Sequence, residues 1–397
     1  MKAKPANREL LGTVVASTLS RSVLNTSRRF IYPFAPVISR GLGVPLTAVT
    51  SVIAVNQATS IVALFASHMG DRAGYRRMMV YGLVMLIAGM AVAGTFPFYY
   101  TLVAAMFLSG LGKNLFDPAI QAYVSARVSY QRRGLVIGIM EISWSAATLV
   151  GIPAIGVLME RFGWRSPFFA IAGAGVLSLL LVLIYIKDDA EENRKQQNHG
   201  NVSTAVKTLL RNRKALGAVG FGFFISFAND NLFVVYGAWL EEFFSLGVVA
   251  IGLGTSVIGA AELAGEFSTA ALSDRLGLHR SVTAGVMLST LAYLVLPLTE
   301  HSLLAALPGL FAVFLFFEFS FVTSLSLCTE LVPGLRATMM SLFFVSAGLG
   351  RVAGAFTGGV VWRDFGMEGV CWVSAVLNLV AVFSLYQGLK QQKVTEG

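Results

Sequence analysis

The chain has 397 residues, of which 55% are hydrophobic and 13% charged, with a mean hydropathy of +0.71. That balance is too apolar for a soluble protein of this length, so the bilayer is its expected solvent. A formal charge of +9 would suggest nucleic acid in a soluble domain, but here Lys and Arg crowd into alternate loops, the orientation signal of a polytopic protein.

Twelve apolar stretches are long enough to cross a hydrocarbon core of roughly 30 Å. They run over 10–38, 46–68, 78–96, 99–126, 134–159, 166–187, 215–240, 246–272, 281–299, 302–328, 337–361 and 368–389. The runs are continuously apolar rather than alternating, which predicts helices and not a barrel. Cys328 and Cys371 both fall inside them, so buried thiols are expected rather than a disulfide.

Ionisable groups inside these spans are costly unless paired or facing water, which makes each a functional candidate. In chain order they are Arg21, Arg28 and Arg29, with Asn25, in the first span; Lys113 and Asp117, one turn apart, in the fourth; and Glu141 in the fifth. The second half adds Asp230 between Asn229 and Asn231 in the seventh span, Glu262 and Glu266 on one face of the eighth, Glu318 in the tenth and Arg351 in the eleventh. Adjacent depth predicts a Glu318 to Arg351 pair. Glu262 and Glu266 would repel unless one is protonated or a cation intervenes. Lys113, Asp117 and Glu141 read as a coupled unit that takes up a proton, or as a static network if Arg21 supplies the missing charge.

The loop Gly70-Asp71-Arg72-Ala73-Gly74-Tyr75-Arg76-Arg77 returns as Ser273-Asp274-Arg275-Leu276-Gly277-Leu278-His279-Arg280, an offset of 203 residues. At that offset Arg133 meets Arg336, Gly151 meets Gly354, and Phe162-Gly163 meets Phe365-Gly366. A register held across each half marks a duplicated membrane domain. Residues 1–187 and 215–397 form the expected six-helix bundles. The charged segment 188–214 is the linker, with an interfacial helix near Thr204–Arg211. Lys and Arg outnumber acids on the side holding both termini and the doubled loop, so that side is expected to be cytoplasmic.

Twelve spans in two halves, with this loop after the second span of each half, resemble the major facilitator superfamily. The family's loop pattern is met by Asp71, Arg72, Gly74, Arg76 and Arg77, and by Asp274, Arg275, Gly277 and Arg280 in the second copy. Ser67 and Ala270 replace its leading glycine. The loop reads as a charged latch on the conformational equilibrium. Gly151, Pro153 and Gly156 look like a degraded form of the fifth-span signature of drug:proton antiporters, where small residues and proline allow close helix packing. The fourth-span arginine frequent in such antiporters is missing.

The resemblance implies an all-α membrane protein of two pseudo-symmetric six-helix bundles, with the first, fourth, seventh and tenth spans lining a central cavity. That places Arg21, Asn25, Arg28, Lys113, Asp117, Asp230 and Glu318 as solute-binding candidates, with Asp117, Glu141, Glu262 and Glu266 as proton-coupling candidates. The sequence shows no nucleotide-binding loop, metal-ligand cluster or nucleophile constellation, so no cofactor, metal or enzymatic role is expected. The favoured function is proton-coupled export of small amphipathic molecules by a monomer in the inner membrane. A proton-coupled symporter or exchanger of an organic anion, and a non-pumping receptor or lipid-handling protein, stand as alternatives.

Overall fold

The computed structural model describes residues 7–62, 74–128, 130–187 and 202–390. Every regular element among them is helical. The first span runs as Asn7–Arg29 and, after a break at Phe30, as Ile31–Leu42. Pro33 explains the break. It has no N–H to offer the carbonyl of Arg29, four residues back. The seventh span, Arg213–Phe233, breaks just past the equivalent repeat position, at Val234 and Val235, before continuing as Tyr236–Phe244.

Leu46–Ala58 and a 3₁₀ turn to Val62 make the described part of the second span. Tyr75–Thr95 is the third and Tyr99–Arg127 the fourth. The fifth runs Tyr130–Ala146, a π turn Ala147–Gly151, and Ile152–Phe162. Ser166–Tyr185 is the sixth. Val202–Arg211 covers the helix expected in the linker. Its end is followed by Asn212, whose side chain accepts from the backbone N–H groups of Lys214 and Ala215 and so caps the seventh span. Val248–Leu276, Leu278–Val295 and Leu303–Leu331 are the eighth to tenth spans. The last two form Arg336–Leu389, interrupted only at Gly366.

Among the described residues eight helices are long and apolar enough to cross a membrane, and Thr338–Leu389 contains two of the expected spans. The repeat is written into the backbone. Gly74 and Gly277 have φ of 93° and 83°, and Gly163 and Gly366 have 84° and 62°, each pair at the 203-residue offset. A side chain is disfavoured at such φ, so these reversals need glycine.

Within each half the first and last helices return side by side at the end that carries the termini: Gly12 lies against Tyr185, and Gly217 against Gly388. At the opposite end the halves press together. Gly237 packs on the backbone of Pro33, Gly252 faces Pro153, and Arg40 Nη1 donates to Glu241 Oε2 at 3.0 Å. A cavity of about 480 Å³ beside that ion pair is lined by Ser39, Ala238, Glu242 and Trp362, among others.

Candidate functional site

Arg21, Asn25, Arg28 and Arg29 recur at four-, seven- and eight-residue spacings and so form one stripe along the first span. It covers about 12 Å of helix axis. All four are buried, and each meets a different neighbour.

At the end of the stripe nearer the termini, Arg21 donates to Glu141 through Nη1 at 2.9 Å and Nη2 at 3.1 Å, and through Nε to Asp117 at 3.3 Å. Lys113 donates to Asn25 Oδ1 at 2.6 Å and to Asp117 Oδ2, while Asn25 Nδ2 reaches Ser143 Oγ at 3.3 Å. Two cations therefore face two carboxylates, and Arg21 supplies the charge that the fourth and fifth spans lack. Charge-assisted bonds of this kind hold three helices at fixed register.

Arg29 makes the main charged crossing between halves. Its guanidinium binds Glu262 with both terminal nitrogens, at 3.1 Å for Nη1 to Oε2, and lies 4.4 Å from the centroid of the Trp144 ring. Thr148, in the π turn of the fifth span, adds a hydroxyl to Glu262 at 3.4 Å. π turns inside helices are frequent at functional positions, and this one lies two residues before Pro153. Glu266 and Glu318 are electrostatic neighbours of Glu262, and Gly265 lets the backbone of the tenth span approach at Glu318. Three carboxylates thus gather here, with Arg29 binding Glu262 and Arg351 also facing Glu318.

Arg28 donates to Gln57 Oε1, Gln57 to the Tyr32 hydroxyl, and that hydroxyl to Asp230 Oδ1 at 3.1 Å. Arg351 lies on the other side of Asp230, with Nε 3.7 Å from Oδ2. The sequence suggested Glu318 as the partner of Arg351. Gly354, one turn further on, lies against the Asp230 side chain, and this close approach of the seventh and eleventh spans brings Arg351 to Asp230.

The fifth-span glycines sit at helix crossings: Gly151 against Thr26, and Gly156 against the carbonyl of Val248 and the ring of Phe34. Pro153 faces Gly252 of the eighth span. Of the loop residues, Asp71 and Arg72 lie outside the described residues, as does the Asp274 side chain. Arg76 donates to the carbonyl of Leu183 at 2.7 Å. Arg275 and Arg280 are exposed, and Arg77 opens the third span beside Arg76. Sequence reasoning missed Gln57, Thr148 and Ser143. The only signal was an Asn56-Gln57 pair inside an apolar run.

A bundle of membrane-length helices in two repeats, with charged side chains buried between them, defines a polytopic membrane transport protein. The family model for the Major Facilitator Superfamily matches residues 17–355 and, again, 218–395. The chain belongs to that superfamily and is a transporter of small solutes. It is 24% identical to the multi-drug resistance efflux pump PmrA of Streptococcus pneumoniae, over 92% of this chain and 93% of the pump. It is 22% identical to the putative uncharacterized transporter YgaY of Escherichia coli K12, over 98% and 99%. The solved structure of a bacterial homolog of the human lysosomal transporter Spinster, inward-facing and unoccupied, shares the fold with a TM-score of 0.76, 15% identity, and 97% and 96% of the two chains covered. A POT family transporter in complex with a thioalcohol-conjugated peptide gives 0.78 at 16% identity, with 96% of each covered.

Proposed function

We propose that this transporter exports small amphipathic molecules in exchange for protons, by alternating access of its two halves. The observation that carries the reading is the cluster of three neighbouring carboxylates, Glu262, Glu266 and Glu318, at the contact between the halves, of which Glu262 is ion-paired, to Arg29. In a low-dielectric interior the excess negative charge is what a bound proton neutralises. Glu262 is held by Arg29, which leaves Glu266 and Glu318 as the carriers. Asp117 and Glu141, each matched by a cation, act in this reading as the frame that positions the first span.

Alternating access is supported by the concentration of close contacts between halves at one end, around Arg40, Pro33 and Gly237. In this reading the two bundles, 1–187 and 215–397, move as units on either side of the linker 188–214. Likeness to an efflux pump supports export, and the excess of Lys and Arg on the terminal side supports an inner-membrane location with cytoplasmic termini. Asp71 and Asp274, with the arginines beside them, are the proposed latch.

Purified protein in vesicles tests this, with radiolabelled amphipathic solutes of each charge type and an imposed pH gradient. Accumulation is expected only in an acidic lumen. Glu266→Gln and Glu318→Gln are expected to abolish that drive while sparing exchange without a gradient. Accumulation indifferent to the gradient would overturn the reading.

A further inference from the structure

Arg28 and Arg351 come from different halves and converge on one buried carboxylate, Asp230: Arg351 directly, Arg28 through Gln57 and Tyr32. We infer that the two arginines form a binding site for an anionic group on the transported solute, with Asp230 as its internal competitor. The inference rests on the transporter reading above and narrows its solute to amphipathic anions.

Arg28 is 7% exposed and its hydrogen-bond partner is neutral Gln57. Its strongest charged neighbour is Arg351, a like charge. Two guanidinium groups held together in the interior repel unless anions lie between them. Of the carboxylates near the pair, Asp117 is held by Arg21 and Lys113, and among the described residues Glu318 makes no ion pair with either arginine. Asp230 supplies a single negative charge, with one oxygen already accepting from Tyr32. The other cations nearby, Arg29 and Lys113, are committed to Glu262 and Asp117.

The Arg351 end is unfinished. Its Nε is buried with no hydrogen-bond partner among the described residues, and at 3.7 Å the Asp230 oxygen is beyond hydrogen-bond reach. A buried guanidinium donor left unpaired is costly, and a planar carboxylate is the group that satisfies two N–H donors of one arginine at once. The Arg351 side chain is also one-fifth exposed, so a ligand can reach it. Beside it lies an aromatic surface: the guanidinium is 5.9 Å from the ring of Phe321, which packs on Phe317 and Phe343. Such a surface suits the hydrocarbon body of an amphipathic acid and gives no hydrogen bonds to a polar one.

The competition is electrostatic. A ligand carboxylate and the Asp230 carboxylate are drawn to the same pair of cations and repel each other, so removing the charge of Asp230 strengthens the site for an external anion.

Equilibrium binding to the full-length protein in detergent needs no gradient, so its failure is distinct from failure of the proton-exchange reading. The probes are phenylacetate, octanoate and naphthoate, each beside its neutral amide. At least one acid is expected to bind more tightly than its amide. Asp230→Asn is expected to strengthen that acid by about tenfold or more, Arg351→Gln to erase the preference, and Arg351→Lys to keep part of it. Melting temperatures report folding of each variant, and Arg351→Gln, whose site is partly exposed, stands as a test even where Asp230→Asn does not fold. Equal binding of acids and amides by the wild type, no binding of any acid, or a preference that survives Arg351→Gln would overturn the inference.

Discussion

The Tyr32 hydroxyl donates to Asp230 Oδ1 at 3.1 Å, tying the first span of one repeat to the first span of the other beside the point where each helix breaks. The same oxygen accepts from Gln57, so Tyr32 is the middle of a chain that ends at Arg28. Tyr32→Phe leaves the Gln57 amide without this acceptor and Asp230 without a donor, both in buried surroundings. A loss of about 1–3 kcal/mol is expected. Denaturation of purified protein checks it, and a wild-type stability would show that the chain of bonds contributes nothing.

The network around Arg21 predicts unequal effects from two similar substitutions. Asp117 contacts both Arg21 and Lys113, so Asp117→Asn leaves two buried cations facing one acid, at a cost of roughly 3–5 kcal/mol. The Glu141 side chain is 43% exposed, and Glu141→Gln should cost no more than about 1 kcal/mol once solvent screening is counted. Melting curves of both variants decide. Equal destabilisation would mean that Asp117 is not the centre of the network.

At the sealed end, Arg40 and Glu241 form an exposed two-point ion pair across the halves. Exposed pairs contribute about 0.2–1 kcal/mol, so Glu241→Gln should shift the open and closed populations only a few-fold. The shift can be read as faster thiol labelling of Ala238→Cys, which lines the adjoining cavity, in a background with Cys328 and Cys371 replaced by alanine. Labelling unchanged by Glu241→Gln would remove the pair from the gate.

Glu300, just past the ninth span, gives a pH-dependent prediction. Burial pushes its carboxyl above the usual range, outweighing the Trp239 indole N–H that donates to it at 3.3 Å. An acid that binds its proton more tightly in the folded protein stabilises at low pH and loses that contribution as pH rises through the carboxylate range. Glu300→Gln should therefore match the wild type below about pH 4 and melt slightly higher at neutral pH. The group is only partly buried, so the gain should stay under about 1 kcal/mol. A variant that melts lower at neutral pH would reverse the sign.

The helical repeat could be read from the sequence because it is carried by residues whose backbone role is fixed, such as Gly74 with Gly277 and Gly163 with Gly366. The apolar signal was clear in spans without ionic groups and weaker in the first and fourth, where Arg21, Arg28, Lys113 and Asp117 dilute it. Pairing was not readable. Glu318 and Arg351 have similar depth, but depth says nothing of which helix face each occupies, and the Gly354 contact assigns Arg351 to Asp230. Gln57 escaped attention because a neutral group in an apolar run looks like packing until its partners are known.

The burial of Arg29 against Glu262 also bears on how the chain is made. The first span leaves the ribosome with three arginines, and the acids that bind two of them follow much later: 96 and 120 residues on for Arg21, and 233 for Arg29. A lone arginine near the centre of a helix costs about 2.5–3.5 kcal/mol on insertion. The segment therefore settles to its final depth in stages, first when the fourth and fifth spans arrive and last when the eighth delivers Glu262. Among the described residues the amino-terminal repeat offers Arg29 no ion pair of its own, so its burial is completed by the repeat translated after it.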